Sequence, residues 1–452
     1  MLVKFLNNRK MYFDKVIFKM YQCQSSSQLI SYNLKLHSTT LLEDLSAELF
    51  ELMAIGSLSQ LKHFLNENDL QQEEFEEFLE ELISESTLNN NLELLKNSTS
   101  GSENSSTDLK DFHDKLYENG YLFNLHFDIT KNCNLKCKHC YHPFEEYAYE
   151  TELTLNNIKS IIDEAYNLGV FTVVISGGEP TTRPDFFDIL AYITSKGMCI
   201  DLYTNAINID ASFSDKLKEY HIRKISISLY ATSARIHDYI TQKSGSHTMT
   251  INAIEILTNH GFQVELKTLM MKYNFDDYKN LMNYANKMNC PLILDTTMTP
   301  QLNSNTKPLD LSLDYDQYLQ LCNDPDSYYS TFKNHINPND FPCNAGRYGL
   351  YCNSKGDFHP CVSFLLNLGN IHSGLKAAWE HQDLNKWRSI KIKDFDGYNK
   401  HSYCIFCPEI CAGIAQLENG DHLKCEKSDC FKAKARAQTF GKEVMKNEKV
   451  EN

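Results

Sequence analysis

Nowhere in the chain does an apolar run approach the length needed to cross a bilayer, which excludes a helical membrane span on sequence grounds. The first ten residues, Met-Leu-Val-Lys-Phe-Leu-Asn-Asn-Arg-Lys, lack both a long apolar stretch and a small-residue cleavage site, so no secretory signal is read there. Positive charge is in short supply. With 44 Lys and Arg against 59 Asp and Glu the net charge is −15, which argues against nucleic acid as a general partner. What is present suits a globular protein with sizeable cores: 42% hydrophobic residues and 12% aromatic ones over a chain of 452 residues, enough for two or three domains. Fifteen cysteines without an export signal suggest reduced, metal-bound thiols rather than a disulfide framework. The expected location is the cytoplasm, of a cell that lives without oxygen.

Three of those cysteines fall within eight residues, Cys133-Asn-Leu-Lys-Cys137-Lys-His-Cys140, directly behind an alternating strand pattern over 122–130. Thiolates are the soft ligands that iron–sulfur clusters and zinc select. On a cubane, three protein thiolates leave one iron open to a small molecule. Zinc is the alternative for such a group. A second motif, Ile175-Ser176-Gly177-Gly178-Glu179-Pro180, ends the next strand pattern, 170–176. Its glycines admit a ligand close to the backbone, and Glu179 offers a carboxylate to an ammonium group.

Strand and helix patterns then alternate. Strands are expected at 122–130, 170–176, 198–204, 223–229, 262–270 and 291–297, and helices at 155–168, 185–196, 215–220, 249–260 and 276–288. Such a series makes an α/β fold, a parallel sheet curled into a partial (βα)6 barrel, with ligands at the carboxyl ends of its strands. Both motifs follow such ends.

The spacing Cys-x3-Cys-x2-Cys, with His139 and Tyr141 flanking the third cysteine, resembles the signature of the radical S-adenosylmethionine (SAM) enzymes, and the Gly-Gly-Glu-Pro motif resembles their SAM amine-binding segment. The resemblance implies a 4Fe–4S cluster on Cys133, Cys137 and Cys140, and SAM contacts from Tyr141, Gly177, Gly178, Glu179 and Pro180. Asn205 and Ser228, at the ends of the third and fourth strands, are implied SAM neighbours; turn chemistry is their plainer reading. The chain departs from the family at Ala206, where relatives carry Gly, at Tyr230, where they carry Asp, and at Thr241, where many carry Arg.

A second cysteine field follows Pro300: Cys343, Cys361 at the end of Gly356-Asp-Phe-His-Pro-Cys, Cys404-Ile-Phe-Cys407, Cys411, Cys425 and Cys430. Asn353 to Asp357 reads as the turn of a hairpin that brings Cys343 and Cys361 together. The field resembles the SPASM extension of radical SAM peptide-modifying enzymes, which implies two auxiliary 4Fe–4S clusters. Its central group is short, with Ala415 where a fourth cysteine is expected, so seven thiolates would hold one cluster by four and the other by three. Zinc again is the alternative. Cys352 reads as a packed free thiol, and Cys23, Cys199, Cys290 and Cys322 as core or surface thiols.

Ahead of the barrel, strands at 16–18 and 29–37 and helices at 41–53, 58–66 and 71–85 resemble the winged-helix element by which precursor-peptide-modifying enzymes hold a leader as an added strand. The expected domains are thus 1–95 for peptide recognition, a polar linker over 96–110, the barrel over 111–315, the SPASM domain over 316–435 and a tail over 436–452. The function expected is radical cleavage of SAM to a 5′-deoxyadenosyl radical that installs a crosslink in a ribosomally made peptide, thioether first and carbon–carbon second. The expected partners are that precursor peptide and a low-potential electron donor such as flavodoxin or ferredoxin, with neither nucleic acid nor membrane. Maturation of a protein side chain (sulfatase-type) or of a small cofactor precursor keeps the same machinery, and a zinc-binding interaction protein is the non-enzymatic alternative. No residue pattern singles out a general base.

Overall fold

The computed structural model of the chain describes residues 16–22, 27–33, 38–43, 60, 64, 106–143, 152–331, 336–408, 410–428 and 430–447. Near the N-terminus β1 (Val16–Gln22), β2 (Ser27–Asn33) and β3 (Ser38–Glu43) form an antiparallel sheet in that order. The third strand corrects the sequence expectation, which began a helix at Leu41. Thr39, Thr40 and Leu41 pair rung for rung with Tyr32, Ser31 and Ile30, and β-branched residues with a partner strand override the local helical spacing. Gln60 and Phe64 are helical, as expected; the other residues of the helices expected over 44–85 lie outside the described residues. The sheet is moored to the barrel through β1, where Tyr21 Oη donates to the Gly169 carbonyl (2.8 Å) and Lys19 Nζ to that of Tyr166 (2.9 Å).

A helix, α1 (Ser106–Glu118), begins inside the stretch expected to be linker. Phe112 and Leu116, one turn apart, pack with Tyr21 and Phe171 between the N-terminal sheet and the barrel, and that burial makes the segment helical.

The barrel strands arise where apolar runs are bounded by turn residues. They are β4 (Asn124–Thr130), β5 (Thr172–Gly177), β6 (Cys199–Thr204), β7 (Ile222–Ser228), β8 (Val264–Leu269) and β9 (Leu292–Asp295), adjacent in chain order and all parallel. Each agrees with its expected segment to within two residues at either end. The helices are α2 (Leu155–Asn167), α3 (Phe186–Ser195), α4 (Ala211–Leu217), α5 (Ala234–Thr241), α6 (Ser246–Asn259) and α7 (Tyr278–Met288). Ile158, Ile161, Ile162 and Ala165 of α2 face the core, as their spacing requires. Three helices differ from expectation, α6 by starting three residues earlier. α4 starts four residues earlier, where Asp210 accepts from Phe213 N and caps it (2.8 Å). α5, absent from the sequence reading, is only eight residues long and buries His237, Ile240 and Thr241.

Beyond the barrel come α8 (Tyr315–Asn323), α9 (Tyr328–Thr331) and the hairpin of β10 (Gly349–Cys352) and β11 (Phe358–His359). The hairpin turn is closed by Asp357 N donating to Asn353 Oδ1 (2.9 Å), as the sequence expected. β10 runs parallel to β4, so the sheet continues to eight strands in the order β11-β10-β4-β5-β6-β7-β8-β9. Four helices follow: α10 (Leu375–Trp379), α11 (Gln382–Ser389), α12 (Ala412–Asn419) and α13 (Cys430–Asn447). α13 runs through most of the expected tail, because Ala435 and Phe440 pack against α8 and buried Arg436 donates to the Phe406 carbonyl (2.8 Å). Among the described residues no helix is long and apolar enough to cross a membrane.

Candidate metal centre and cofactor pocket

β4 delivers the chain at Thr130 into the loop that carries the three cysteines. Two backbone bonds clamp this loop to the end of β5: Gly178 N donates to Thr130 O and Glu179 N to Asn132 O, both 2.8 Å. Only glycine fits here. A Cβ on Gly177 would stand 2.1 Å from Thr130 O, and φ there is +135°. One on Gly178 would stand 2.4 and 2.5 Å from the Lys131 and Asn132 carbonyls. On its other side the loop leans on α5, with Lys136 N and Lys138 N donating to Thr241 O and Ile240 O (3.2 and 3.0 Å). Enclosed is a cavity of about 410 Å³ lined by Cys133, Cys137, Cys140, Tyr141, Gly177, Gly178, Glu179, Asn205 and Ser228. Pro180 alone of the expected contacts does not line it; it is buried at the start of a single 3-10 turn.

Burial, then the neighbouring thiols Cys140 and Cys133, push the Cys137 thiol far above its ordinary range, and burial carries Cys140 up to about 11. Burial also raises Cys133. Three crowded thiols of this kind become ligands when a cationic centre compensates their charge. A zinc ion draws its sulfurs to about 2.3 Å from one point; among the described residues no three His, Cys, Asp or Glu gather about a single point in that way. The donor set and the glycine cradle suit a larger group.

Glu179 differs from its expected role in one respect. Its carboxylate is fully buried, with Oε1 accepting from Thr181 N (3.2 Å), Thr181 Oγ1 (2.7 Å) and Thr204 Oγ1 (2.7 Å), and Oε2 from Asn205 N (2.7 Å). Burial still raises its pKa. Four donors leave only Oε2 with a spare lone pair towards the pocket, so the side chain chiefly ties β5 to β6. Asn205 reaches the loop, donating to Asn134 Oδ1 (2.8 Å). Tyr230, which replaces an expected acid, lines the cavity, its hydroxyl 3.1 Å from His139 Nε2. Thr241, at an expected arginine position, is buried, sharing a 2.7 Å hydrogen bond with Ser246.

Residues 127–298 match the radical SAM superfamily, and residues 343–408 match the iron–sulfur cluster-binding SPASM domain, more than half of the chain between them. The chain thus carries a radical SAM domain followed by a SPASM domain. Among its relatives, an AdoMet-dependent heme synthase of Methanosarcina barkeri is 30% identical over 36% of this chain, which spans 46% of that relative. Mycofactocin maturase MftC of Mycolicibacterium smegmatis is 28% identical over 58% of this chain and 70% of its own length. Of solved structures, Streptococcus suis SuiB bound to precursor peptide SuiA matches with a TM-score of 0.60 at 16% identity, covering 92% of this chain and 99% of SuiB. The enzyme anSMEcpe with bound AdoMet gives 0.58 at 16%, over 72% and 94%. These two similarities are of fold.

Radical SAM proteins bind SAM and a 4Fe–4S cluster, and SPASM domains bind auxiliary iron–sulfur clusters. The cavity fits the first pair. In this chain the SPASM cysteines fall into two groups. Cys404, Cys407, Cys425 and Cys430 line one cavity of about 930 Å³. Cys411 lies instead with Cys361 and Cys343: burial pushes its thiol up to about 12, with Cys361, Glu426 and Cys343 adding to the shift. Cys425 is raised to about 12 by burial, then by Glu426, Cys430 and Cys404. Glu426 is buried between the groups and accepts from Cys411 N (3.3 Å). Cys352, Cys199, Cys290 and Cys322 are buried and free, and Cys23 lies outside the described residues.

The residue that sequence reasoning missed is Asp128. It sits mid-strand in β4 with 2% exposure, and Tyr351 Oη of β10 donates to its Oδ2 (2.6 Å). His126 Nε2 and His142 Nε2 each stand 3.6 Å from its oxygens. Asp128 and His142 line a cavity of about 180 Å³ between barrel and hairpin, and His142 lines the SAM pocket too. The only sequence signal was a charge in an apolar strand, His-Phe-Asp-Ile, which alternation alone assigns to a solvent face.

Proposed function

We propose that the chain is a radical SAM maturase that crosslinks a ribosomally made precursor peptide, with a thioether as the favoured product. The observation that carries this reading is an N-terminal antiparallel sheet docked on the barrel through β1, with β3 at its outer edge, ahead of a three-thiol pocket and two further thiol groups. A leader adding as a strand to β3 would complete that edge, and residues 1–95 serve as its recognition module. SuiB, whose fold covers most of this chain, is bound to a precursor peptide, and MftC is named a maturase.

With cluster and SAM in place, Cys133, Cys137 and Cys140 hold the former, and one-electron reduction supplies a 5′-deoxyadenosyl radical. The glycine cradle lets the ligand lie against backbone, and Asn205 fixes the loop. Asp128, bonded by Tyr351, is a buried carboxylate lining the cavity between barrel and hairpin, where it would accept the proton a crosslink releases. Co-expression with its precursor peptide should yield a product lighter by about two hydrogens per crosslink. An unchanged precursor mass with cluster-loaded, SAM-cleaving protein would refute the reading.

One observation favours a second reading, modification of a small cofactor precursor: AdoMet-dependent heme synthases are among the relatives. Deleting residues 1–95 separates the two, since undiminished turnover without the module excludes leader recognition.

A further inference from the structure

The outer face of the cysteine loop differs in charge from this otherwise acidic chain. Residues 131–140 hold three lysines and no acid, and Lys136 and Lys138 are exposed. α5 lies along the loop and turns Arg235 and Tyr239, one turn apart, to solvent. Lys138 Nζ stands 4.3 Å over the Tyr239 ring, and Tyr239 meets Tyr273 edge-on at 5.0 Å. Both rings are unusually open, at 43% and 48% exposure. Lys272 beside them is exposed, its Nζ 3.1 Å from the Asp310 carbonyl. Of the nearby acids, Asp238 and Asp277 face inward, whereas Asp276 and Asp310 are exposed. Asp238 accepts from Gly245 N (2.6 Å), Ser246 Oγ (2.9 Å) and His247 N (2.9 Å), and Asp277 from Thr232 N and Oγ1. Of the acids in 131–140, 234–243 and 272–277 only Asp276 is exposed.

An open tyrosine pair ringed by cations has the make-up of a protein contact. On a chain of net charge −15 it is also where an acidic protein would be drawn while the remaining surface repels it. Beneath it lies the cavity that the thiol trio lines. We propose that this face, formed by Lys136, Lys138, Arg235, Tyr239, Lys272 and Tyr273, docks an acidic one-electron carrier protein of the flavodoxin or ferredoxin kind. The proposal rests on the radical SAM reading of the trio. In the contact the carrier is oxidised by one electron and the cluster is reduced by one; no bond forms or breaks and no proton crosses.

The test uses the full-length reconstituted protein with a bacterial flavodoxin, its reductase and NADPH. The variants are Arg235→Glu with Lys272→Glu, and Tyr239→Ala with Tyr273→Ala, all outside the cysteine loop. Flavodoxin affinity, read by fluorescence anisotropy, is expected to weaken about tenfold in each and to fall with salt for the parent. Flavodoxin-driven release of 5′-deoxyadenosine should drop by a similar factor, while the dithionite-driven rate stays within about twofold of the parent. Equal slowing with both reductants, unchanged flavodoxin affinity in both variants, or weakened precursor-peptide binding with intact flavodoxin binding would each overturn the proposal, as would a parent that binds neither flavodoxin nor ferredoxin. Absence of 5′-deoxyadenosine with dithionite would count against the radical reading, whereas the affinity measurement still scores the surface.

Discussion

Adding one methyl group at Gly178 tests whether the cradle positions the cysteine loop. The new Cβ would stand 2.4 Å from Lys131 O and 2.5 Å from Asn132 O, whereas ordinary contact begins near 3.4 Å. Both obstacles are backbone, so loop and strand must separate by 3.4 − 2.4, about 1 Å. That movement disrupts the bonds from Gly178 N to Thr130 O and from Glu179 N to Asn132 O. Two hydrogen bonds at about 1 kcal/mol each, with about 1–3 kcal/mol for overpacking, give a loss of about 3–5 kcal/mol. A misplacement of about 1 Å at a reacting centre lowers rate on the order of 100-fold. Gly178→Ala, reconstituted without oxygen, is therefore expected to bind less iron and to release 5′-deoxyadenosine about two orders of magnitude more slowly with dithionite. Gly197→Ala is the control: φ there is +70° with nothing within 4 Å of the new Cβ, so it bears only the backbone cost of about 1 kcal/mol. Parent-like iron content and rate in Gly178→Ala would refute the cradle argument.

The grouping of thiols predicts that Cys411→Ala loses the same cluster as Cys343→Ala and Cys361→Ala, and Cys425→Ala or Cys430→Ala the same as Cys404→Ala. Each is expected to leave the protein about four irons short; iron assay and paramagnetic resonance check it, and Cys411→Ala matching Cys404→Ala would break the grouping. Burial raises the Asp128 carboxyl, but His126, His142 and Tyr351 outweigh it and hold the folded pKa below the unfolded value. Its contribution is therefore present above the unfolded pKa of about 4 and lost as pH falls through the folded one. Asp128→Asn should lower Tm at neutral pH and flatten its acid decline, and a decline as steep as the parent's would contradict this. Ala206 holds φ +63° and is fully buried. In Ala206→Gly, relief of about 1–2 kcal/mol is offset by about 0.5–1 kcal/mol of unfolded-chain entropy and about 0.8 kcal/mol of lost burial. Urea unfolding should show a change under about 1 kcal/mol, and a loss above about 2 kcal/mol would be inconsistent with it.

The barrel was legible because each strand is an apolar run closed by turn residues, and the cysteine loop because three soft ligands at close spacing have few other uses. Ser38–Glu43 misled because a strand of that length takes its identity from a partner, here β2, which local spacing does not encode. α1 hid in a polar stretch because, among its described side chains, the apolar anchors are Phe112 and Leu116, whose partners lie far along the chain. Glu179 was assigned to an ammonium group on its charge and its Gly-Gly-Glu-Pro setting; that its carboxylate also accepts from Thr181, Thr204 and Asn205 could not be read locally, because two of these come from the end of the neighbouring strand. Cys411 follows Cys407 closely in sequence yet lies in the other group, since the path from Cys407 into α12 carries it away.

Because β10 pairs with β4 over four rungs, Gly349 with Asn124 through Cys352 with Phe127, the hairpin leading to Cys361 is stitched to the strand that feeds Cys133. The separation between the two sulfur sites is thus fixed by ladder geometry rather than by a hinge. Tunnelling decays exponentially with gap, so an electron passing between them would meet the same barrier in every turnover. Any gating during the cycle would then fall to parts outside that sheet, such as the moored N-terminal strands or the peptide itself.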